Sequence, residues 1–287
     1  MPKIHVSDIN IYYEVYGSGE PILLIMGLGG SLLGWQSQIP TLSQQLRVVA
    51  FDNRGSGRSD MPTSDYSMSL FADDAAGLLR ALDFESAHVF GVSMGGMIAQ
   101  ELALRHPSIV RSLILGATSP CLLAMPPVPK ALDATIKAQE MEPRQAFETT
   151  YWSGYTDEYL ATNKEDLWRR AQAETAYSSP PEFWRRQSNA VAKHDTRERL
   201  GAIAAPTLVI GGDDDPLVPP ENSRYLAEHI PRAELMLFPK ARHSFNVELE
   251  EETNAAVLDF VQRHSRAAPA GQPKAAGRRH RQVEARP

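Results

Sequence analysis

Short apolar, β-branched runs alternate along the chain with longer stretches whose apolar residues recur every three or four positions, as strands exchanging with amphipathic helices do. Strand-like runs fall at Ile4–Val6, Ile9–Tyr16 and Pro21–Met26, separated by Ser7-Asp8 and by Gly17-Ser18-Gly19, which predicts an antiparallel start. A helix is expected over Gln36–Gln45 and a buried strand over Arg47–Phe51. Ser69–Leu82 reads as a helix with Leu70, Ala75, Leu78, Leu79 and Leu82 on one face. Ala87–Phe90 reads as a buried strand and Met97–Leu104 as the helix that follows it. Pro107 stops that helix, and Ile109–Leu115 supplies another strand. The alternation resumes with strands at Pro206–Ile210 and Ala233–Phe238, a helix over Glu221–His229 between them, and a last helix over Glu248–His264. Such a series predicts a mostly parallel sheet with helices on both faces and a ligand site beyond the carboxyl ends of its strands.

From Ser119 to His194 no strand-like run occurs and Pro126-Pro127-Val128-Pro129 opens the stretch, so an all-helical insertion is expected. Trp152, Trp168 and Trp184 lie in it with Tyr151, Tyr155, Tyr159 and Tyr177. These rings serve the insertion's own core, or one or two of them line an apolar pocket; Trp152 and Trp184 are the candidate substrate contacts. The expected organisation is a core of residues 1–118 and 196–265, a helical cap over 119–195, and an Ala/Pro/Gly-rich tail over 266–287 that reads as disordered.

Composition narrows the picture. At 287 residues, 43% hydrophobic and 22% charged, the chain can bury a sizeable core. The formal net charge is −6, but six basic residues and one acid lie from Arg266 onward, leaving −11 on the rest. An acidic body disfavours nucleic acid as a partner. The lone Cys121 excludes an internal disulfide framework, and no Cys/His cluster suggests a structural zinc. The first residues carry no long apolar stretch, so no membrane span or signal peptide is expected and a cytoplasmic location is the default.

The chemistry centres on Gly91-Val92-Ser93-Met94-Gly95-Gly96, a serine between glycines where a strand hands over to a helix. Glycines two before and two after let strand and helix meet closely and leave the serine held in a strained turn with its hydroxyl exposed. A serine hydroxyl needs a base, and the base an orienting acid. Among eight histidines, His243 sits in the turn after a late strand; His194 is its rival, and His5, His88, His106, His229, His264 and His280 read as structural or solvated. In a serine, acid, histidine order the acid falls in Gly211-Gly212-Asp213-Asp214-Asp215, of which only one carboxylate need face the histidine; Gly116-Ala117-Thr118-Ser119 offers none. The backbone N–H groups of Met94, after the nucleophile, and of Leu28, in Met26-Gly27-Leu28-Gly29-Gly30, are the candidate oxyanion donors.

Together with Phe51-Asp52-Asn53-Arg54-Gly55-Ser56-Gly57-Arg58-Ser59, these motifs run in the order of the α/β-hydrolase fold superfamily, which the chain resembles through nearly the whole core. The resemblance implies Ser93 as nucleophile, Asp215 (the last residue of a G-x-x-D pattern) as acid and His243 as base. Met26 departs from the family, where many members carry histidine; the backbone donor is unaffected. Within the superfamily the chain is similar to bacterial serine esterases and 3-oxoadipate enol-lactonase-like hydrolases, and its Met-Gly-Leu-Gly loop to that of polyketide methylesterases. The implied activity is cofactor-free and metal-free cleavage of a small ester or lactone through an acyl-enzyme. Serine at the elbow disfavours dehalogenase and epoxide hydrolase chemistry, which use aspartate there. Carbon–carbon bond hydrolysis, perhydrolysis and non-catalytic ligand binding stay open as alternatives. A dianionic lactone would call for pocket cations, for which Arg169, Arg170, Arg185 and Arg186 are available, although an exposed surface is their ordinary place.

Overall fold

The computed structural model describes residues 2–122, 125–177 and 179–265; the tail for which disorder is expected lies outside the described residues. Eight strands form one sheet: β1 (Lys3–Val6), β2 (Ile9–Tyr16), β3 (Glu20–Ile25), β4 (Leu46–Phe51), β5 (Ala87–Val92), β6 (Val110–Gly116), β7 (Thr207–Gly212) and β8 (Ala233–Phe238). Their spatial order is β1-β2-β4-β3-β5-β6-β7-β8. The β1–β2 and β2–β4 pairs are antiparallel, and every pair from β4 to β8 is parallel. The strands β3 to β8 therefore end at one edge, where Leu28, Asp52, Ser93, Asp215 and His243 all follow strand ends.

The helices between them are α1 (Ile39–Leu42), α2 (Met68–Ala81), α3 (Met94–Arg105), α4 (Pro129–Ala138), α5 (Pro143–Gly154), α6 (Asp157–Thr175), α7 (Pro181–Ala192), α8 (Pro220–His229), α9 (Phe245–Glu248) and α10 (Glu250–Arg263). The stretch between β6 and β7 is helical among its described residues. Two apolar cores lie on opposite sheet faces, one packed by α2, α3 and α8, the other by α1 and α10. The central strands β5 and β7 are buried at every position, as parallel strands covered on both faces must be. Trp35 joins the second core, its ring centroid 4.9 Å from that of Phe90.

Two expectations are corrected. The helix expected over 36–45 is a 3₁₀ turn at Leu32–Trp35 followed by the four-residue α1. Pro40 has no N–H to give, and Asn254 Nδ2 takes the Ser37 carbonyl at 2.9 Å, so a continuous helix loses two of its rungs. The helix expected over Glu248–His264 is α10, and the short α9 stands apart from it, before the break where Leu249 takes φ −114°, ψ 54°. On α2 the buried face runs through Met68, Phe71, Ala72, Ala75, Leu78 and Leu79, and Leu70 stands outside it, half-buried.

Candidate active site

Ser93 takes φ 55°, ψ −123°, a conformation that costs a non-glycine residue about 1–3 kcal/mol and persists only where neighbours over-determine it. Its N–H donates to the Gly116 carbonyl at 2.8 Å. Its carbonyl accepts from Thr118 Oγ1 at 2.7 Å and from the Gly96 N–H at 2.9 Å. The flanking glycines are steric necessities. A Cβ on Gly91 would overlap the Gly95 carbonyl, one on Gly95 would overlap the Ile25 carbonyl, and one on Gly96 would lie 2.5 Å from Thr118 Cβ. Strand β5, helix α3 and the end of β3 thus meet with no side chain between them.

The loop after β3 lies against the serine: a Cβ on Gly27 would sit 3.1 Å from Ser93 Cβ. Gly30 N–H donates to the Gly27 carbonyl at 3.3 Å and Gly29 has φ +73°, a tight turn whose third position needs glycine. In such a turn the Leu28 N–H points away from the closing bond. Neither that amide nor the Met94 amide, first in α3, donates to a protein acceptor among the described residues. The turn after β4 braces the loop from behind. Buried Asp52 accepts from the Leu32 N–H at 2.7 Å and the Arg58 N–H at 2.8 Å, and Asn53 Nδ2 donates to the Met26 carbonyl at 3.0 Å. Met26 fills space left by two glycines; its Cγ would be 3.0 Å from a Cβ on Gly30.

The three adjacent aspartates divide by environment. Asp213 accepts from the Lys240 N–H, and Asp214 is exposed beside Arg242. Asp215 is buried, its side chain 1% exposed; Oδ1 accepts from the Leu217 and Val218 amides at 2.8 and 2.9 Å, and Oδ2 faces His243 Nδ1 at 2.7 Å. Burial of the ring works against the imidazolium, but the Asp215 charge and hydrogen bond outweigh it and hold His243 above its ordinary value. With Nδ1 committed to Asp215, Nε2 is the nitrogen left for other chemistry. Phe245, two residues on, fills the space beside Gly116, which brings the histidine turn next to the elbow. The turn is also tied to the end of α5, where His243 N–H and Ser244 N–H donate to the Ser153 and Gly154 carbonyls.

The family model for the alpha/beta hydrolase fold matches residues 20–248, spanning the elbow, the aspartates and the histidine turn. The chain belongs to the α/β-hydrolase family. A relative from Azorhizobium caulinodans named as a putative carbamate hydrolase, RutD, is 34% identical over 275 residues, covering 91% of this chain and 98% of the relative. The enol-lactonase of Burkholderia xenovorans LB400 superposes with a TM-score of 0.81 at 25% identity, covering 91% of this chain and all of that one. The meta-cleavage product hydrolase CumD of Pseudomonas fluorescens IP01 does so with a TM-score of 0.81 at 27% identity, covering 92% and 98%. Hydrolysis is the coarse activity that these similarities assign to this α/β-hydrolase.

His194 is buried in this α/β-hydrolase with neither ring nitrogen bonded among the described residues, and burial pushes it down to about 4. A second serine, histidine, carboxylate chain exists at the opposite sheet edge: Ser112 Oγ to His88 Nδ1 at 2.7 Å and His88 Nε2 to Glu20 at 3.2 Å. Ser112 and His88 are fully buried at strand starts, so no substrate reaches them, and the chain serves to satisfy buried polar groups.

A cavity of about 270 Å³ opens beside His243, lined among others by Leu33, Phe147, Tyr155, Arg170 and Glu174. Burial pushes Glu174 up to about 7 despite the nearby Arg170 charge, and burial raises the Tyr155 hydroxyl. Of the candidate arginines only Arg170 lines this cavity; Arg169, Arg185 and Arg186 pair with Asp166, the Pro181 carbonyl and Glu182. Trp184 packs on Gly29, whose Cβ would meet its Cδ1 at 2.8 Å. Trp152 instead points its ring N–H at the Thr149 carbonyl and lies under Lys130. One residue at the site carries no signal in the sequence: Gln187, fully buried, accepts from the Gly29 N–H of the loop. A glutamine on a helix carries no motif that marks it.

Proposed function

We propose that this protein is a serine hydrolase that cleaves a carboxylic ester or lactone of a small, partly apolar substrate through an acyl-enzyme. The observation that carries the reading is the 2.7 Å contact of His243 Nδ1 with buried Asp215, which leaves Nε2 as the base for the elbow serine. Ser93 Oγ attacks the carbonyl as His243 takes its proton, and Asp215 holds the ring and its positive charge. The free amides of Leu28 and Met94 receive the oxyanion. His243 then gives its proton to the leaving oxygen and draws one from the water that releases the acid. These groups supply every step.

Residues 119–195 act as a cap over the strand ends, and 1–118 with 196–265 as the catalytic core. The cavity beside His243 takes one half of the substrate, its aromatic walls favouring an apolar body and Arg170 and Glu174 a polar substituent. Trp184 forms the wall over the oxyanion loop. Carbamate hydrolysis is a second reading, favoured by the RutD similarity along 91% of this chain; it shares the addition to a carbonyl.

Turnover of a short-chain p-nitrophenyl ester, an enol-lactone and an aryl carbamate by wild type and Ser93→Ala tests the reading. At least one ester or lactone should be cleaved, with Ser93→Ala slower by about 10³-fold or more. Cleavage of the carbamate alone favours the second reading, and full activity in Ser93→Ala overturns both.

A further inference from the structure

Gly29 is held from a segment about 150 residues further along the chain. Gln187 Oε1, on α7, accepts its N–H at 2.8 Å, and the Ser179 N–H donates to its carbonyl at 3.2 Å. The Trp184 ring covers its α-carbon. The other end of the Gln187 amide is equally committed: Nε2 donates to the Arg54 carbonyl at 3.0 Å and to Ser56 Oγ at 2.9 Å. Those residues belong to the turn that braces the oxyanion loop, and Arg54 is itself locked into the core by a two-pronged pair with Asp74 at 2.5 and 2.7 Å. Gln187 therefore bridges a rigid turn to a glycine turn, whose backbone has more than one form open to it, and uses both ends of its side chain to do so.

We propose that Gln187 is a positioning residue for the oxyanion hole, through which the helical segment between β6 and β7 holds the Leu28 amide in register with Ser93. The inference rests on the serine-hydrolase reading. Its physical basis is the peptide between Leu28 and Gly29. A four-residue turn closed from Gly30 to Gly27 has two forms that differ by a flip of that central peptide. Flipping it would replace the Gly29 N–H with the Leu28 carbonyl opposite Gln187 Oε1, setting two acceptors against each other. Gln187 thus selects one form, and with Gly27 lodged against Ser93 both peptides flanking Leu28 are fixed. The side chain touches no substrate. The Leu28 N–H itself lies in the preceding peptide, whose carbonyl closes the turn, so Gln187 acts on the donor by fixing the one turn form that carries it, and donor position is what transition-state charge stabilisation depends on.

The test uses the full chain and a fluorophosphonate probe that reacts with an activated serine, alongside ester turnover. Gln187→Ala should label Ser93 about 10- to 100-fold more slowly and lose kcat by a similar factor, with KM within about threefold, since the lost bond is not to substrate. Gln187→Glu gives a readout that a purely structural role would not. A carboxyl at this buried place titrates upward, and only its protonated form can both accept from Gly29 and donate to the Arg54 carbonyl. Its labelling rate relative to wild type should therefore climb toward parity as pH falls. A wild-type labelling rate in Gln187→Ala, or a Gln187→Glu ratio flat with pH, overturns the inference while the serine-hydrolase reading stands. If Ser93 is not labelled in the wild type, that reading fails and the inference with it. Should Gln187→Ala not fold, the Gln187→Glu profile alone decides.

Discussion

Strain at Ser93 is maintained by ordinary bonds to Gly116, Thr118 and Gly96, so the cost of φ 55° is met by its neighbours. At His243 two effects of opposite sign compete, and the partner carboxylate wins over burial. The proposed mechanism needs the neutral ring, so kcat/KM should fall on acidification with a limb above the ordinary histidine value of about 6.5. In Asp215→Asn burial acts alone, and the limb should move below that value while kcat drops by about 10³- to 10⁴-fold. A pH–rate profile of both proteins checks the pair of shifts. Residue type alone does not separate Asp213, Asp214 and Asp215; the G-x-x-D resemblance implies the third, and its burial, with two amides on Oδ1, is the physical distinction.

The elbow works at the scale of elements because three backbones share one point. A methyl on Gly95 would meet the Ile25 carbonyl and, at 2.9 Å, the Met26 carbonyl, atoms fixed by the sheet. Gly95→Ala should therefore displace α3 and destabilise the protein by about 1–3 kcal/mol or more, with loss of ester turnover. Gly201→Ala is the matched control: nothing among the described residues lies within 4 Å of its Cβ, and its melting temperature should stay at the wild-type value or rise slightly. The helical stretch between β6 and β7 acts at this scale too. It binds the histidine turn through Ser153 and Gly154 and the glycine loop after β3 through Ser179 and Gln187. Strand and helix positions in the core were legible because period and turn residues are local properties. The broken helix near Pro40 was legible only in part: the proline is a local signal, but the bond of Asn254 to the Ser37 carbonyl comes from more than 200 residues away.

Across the whole molecule, buried ionisable groups make stability depend on pH and on paired charges. His194 has a folded value near 4 against about 6.5 unfolded, so the unfolded chain takes the proton first. The stability present above pH 6.5 is lost as pH falls from there toward 4, by about 3 kcal/mol in all. Urea midpoints at about pH 7 and about pH 4.5 should separate less in His194→Leu than in wild type. Asp74→Ala strands the fully buried Arg54, leaving the guanidinium, among the described residues, only the exposed Asp8 as an acidic partner, and should cost about 3–5 kcal/mol by chemical denaturation. No helix among the described residues is long and apolar enough to cross a membrane. The sequence by itself determined the α/β order and the places of the glycine-flanked serine, the acid cluster and the late histidine, since hydrophobic period and motif spacing act over a few residues. The tertiary structure decided that His88 and Ser112 form an inaccessible chain and that Gln187 holds Gly29. Those outcomes depend on burial and on contacts between segments far apart in the chain, which only the closed sheet and the helices over it bring together.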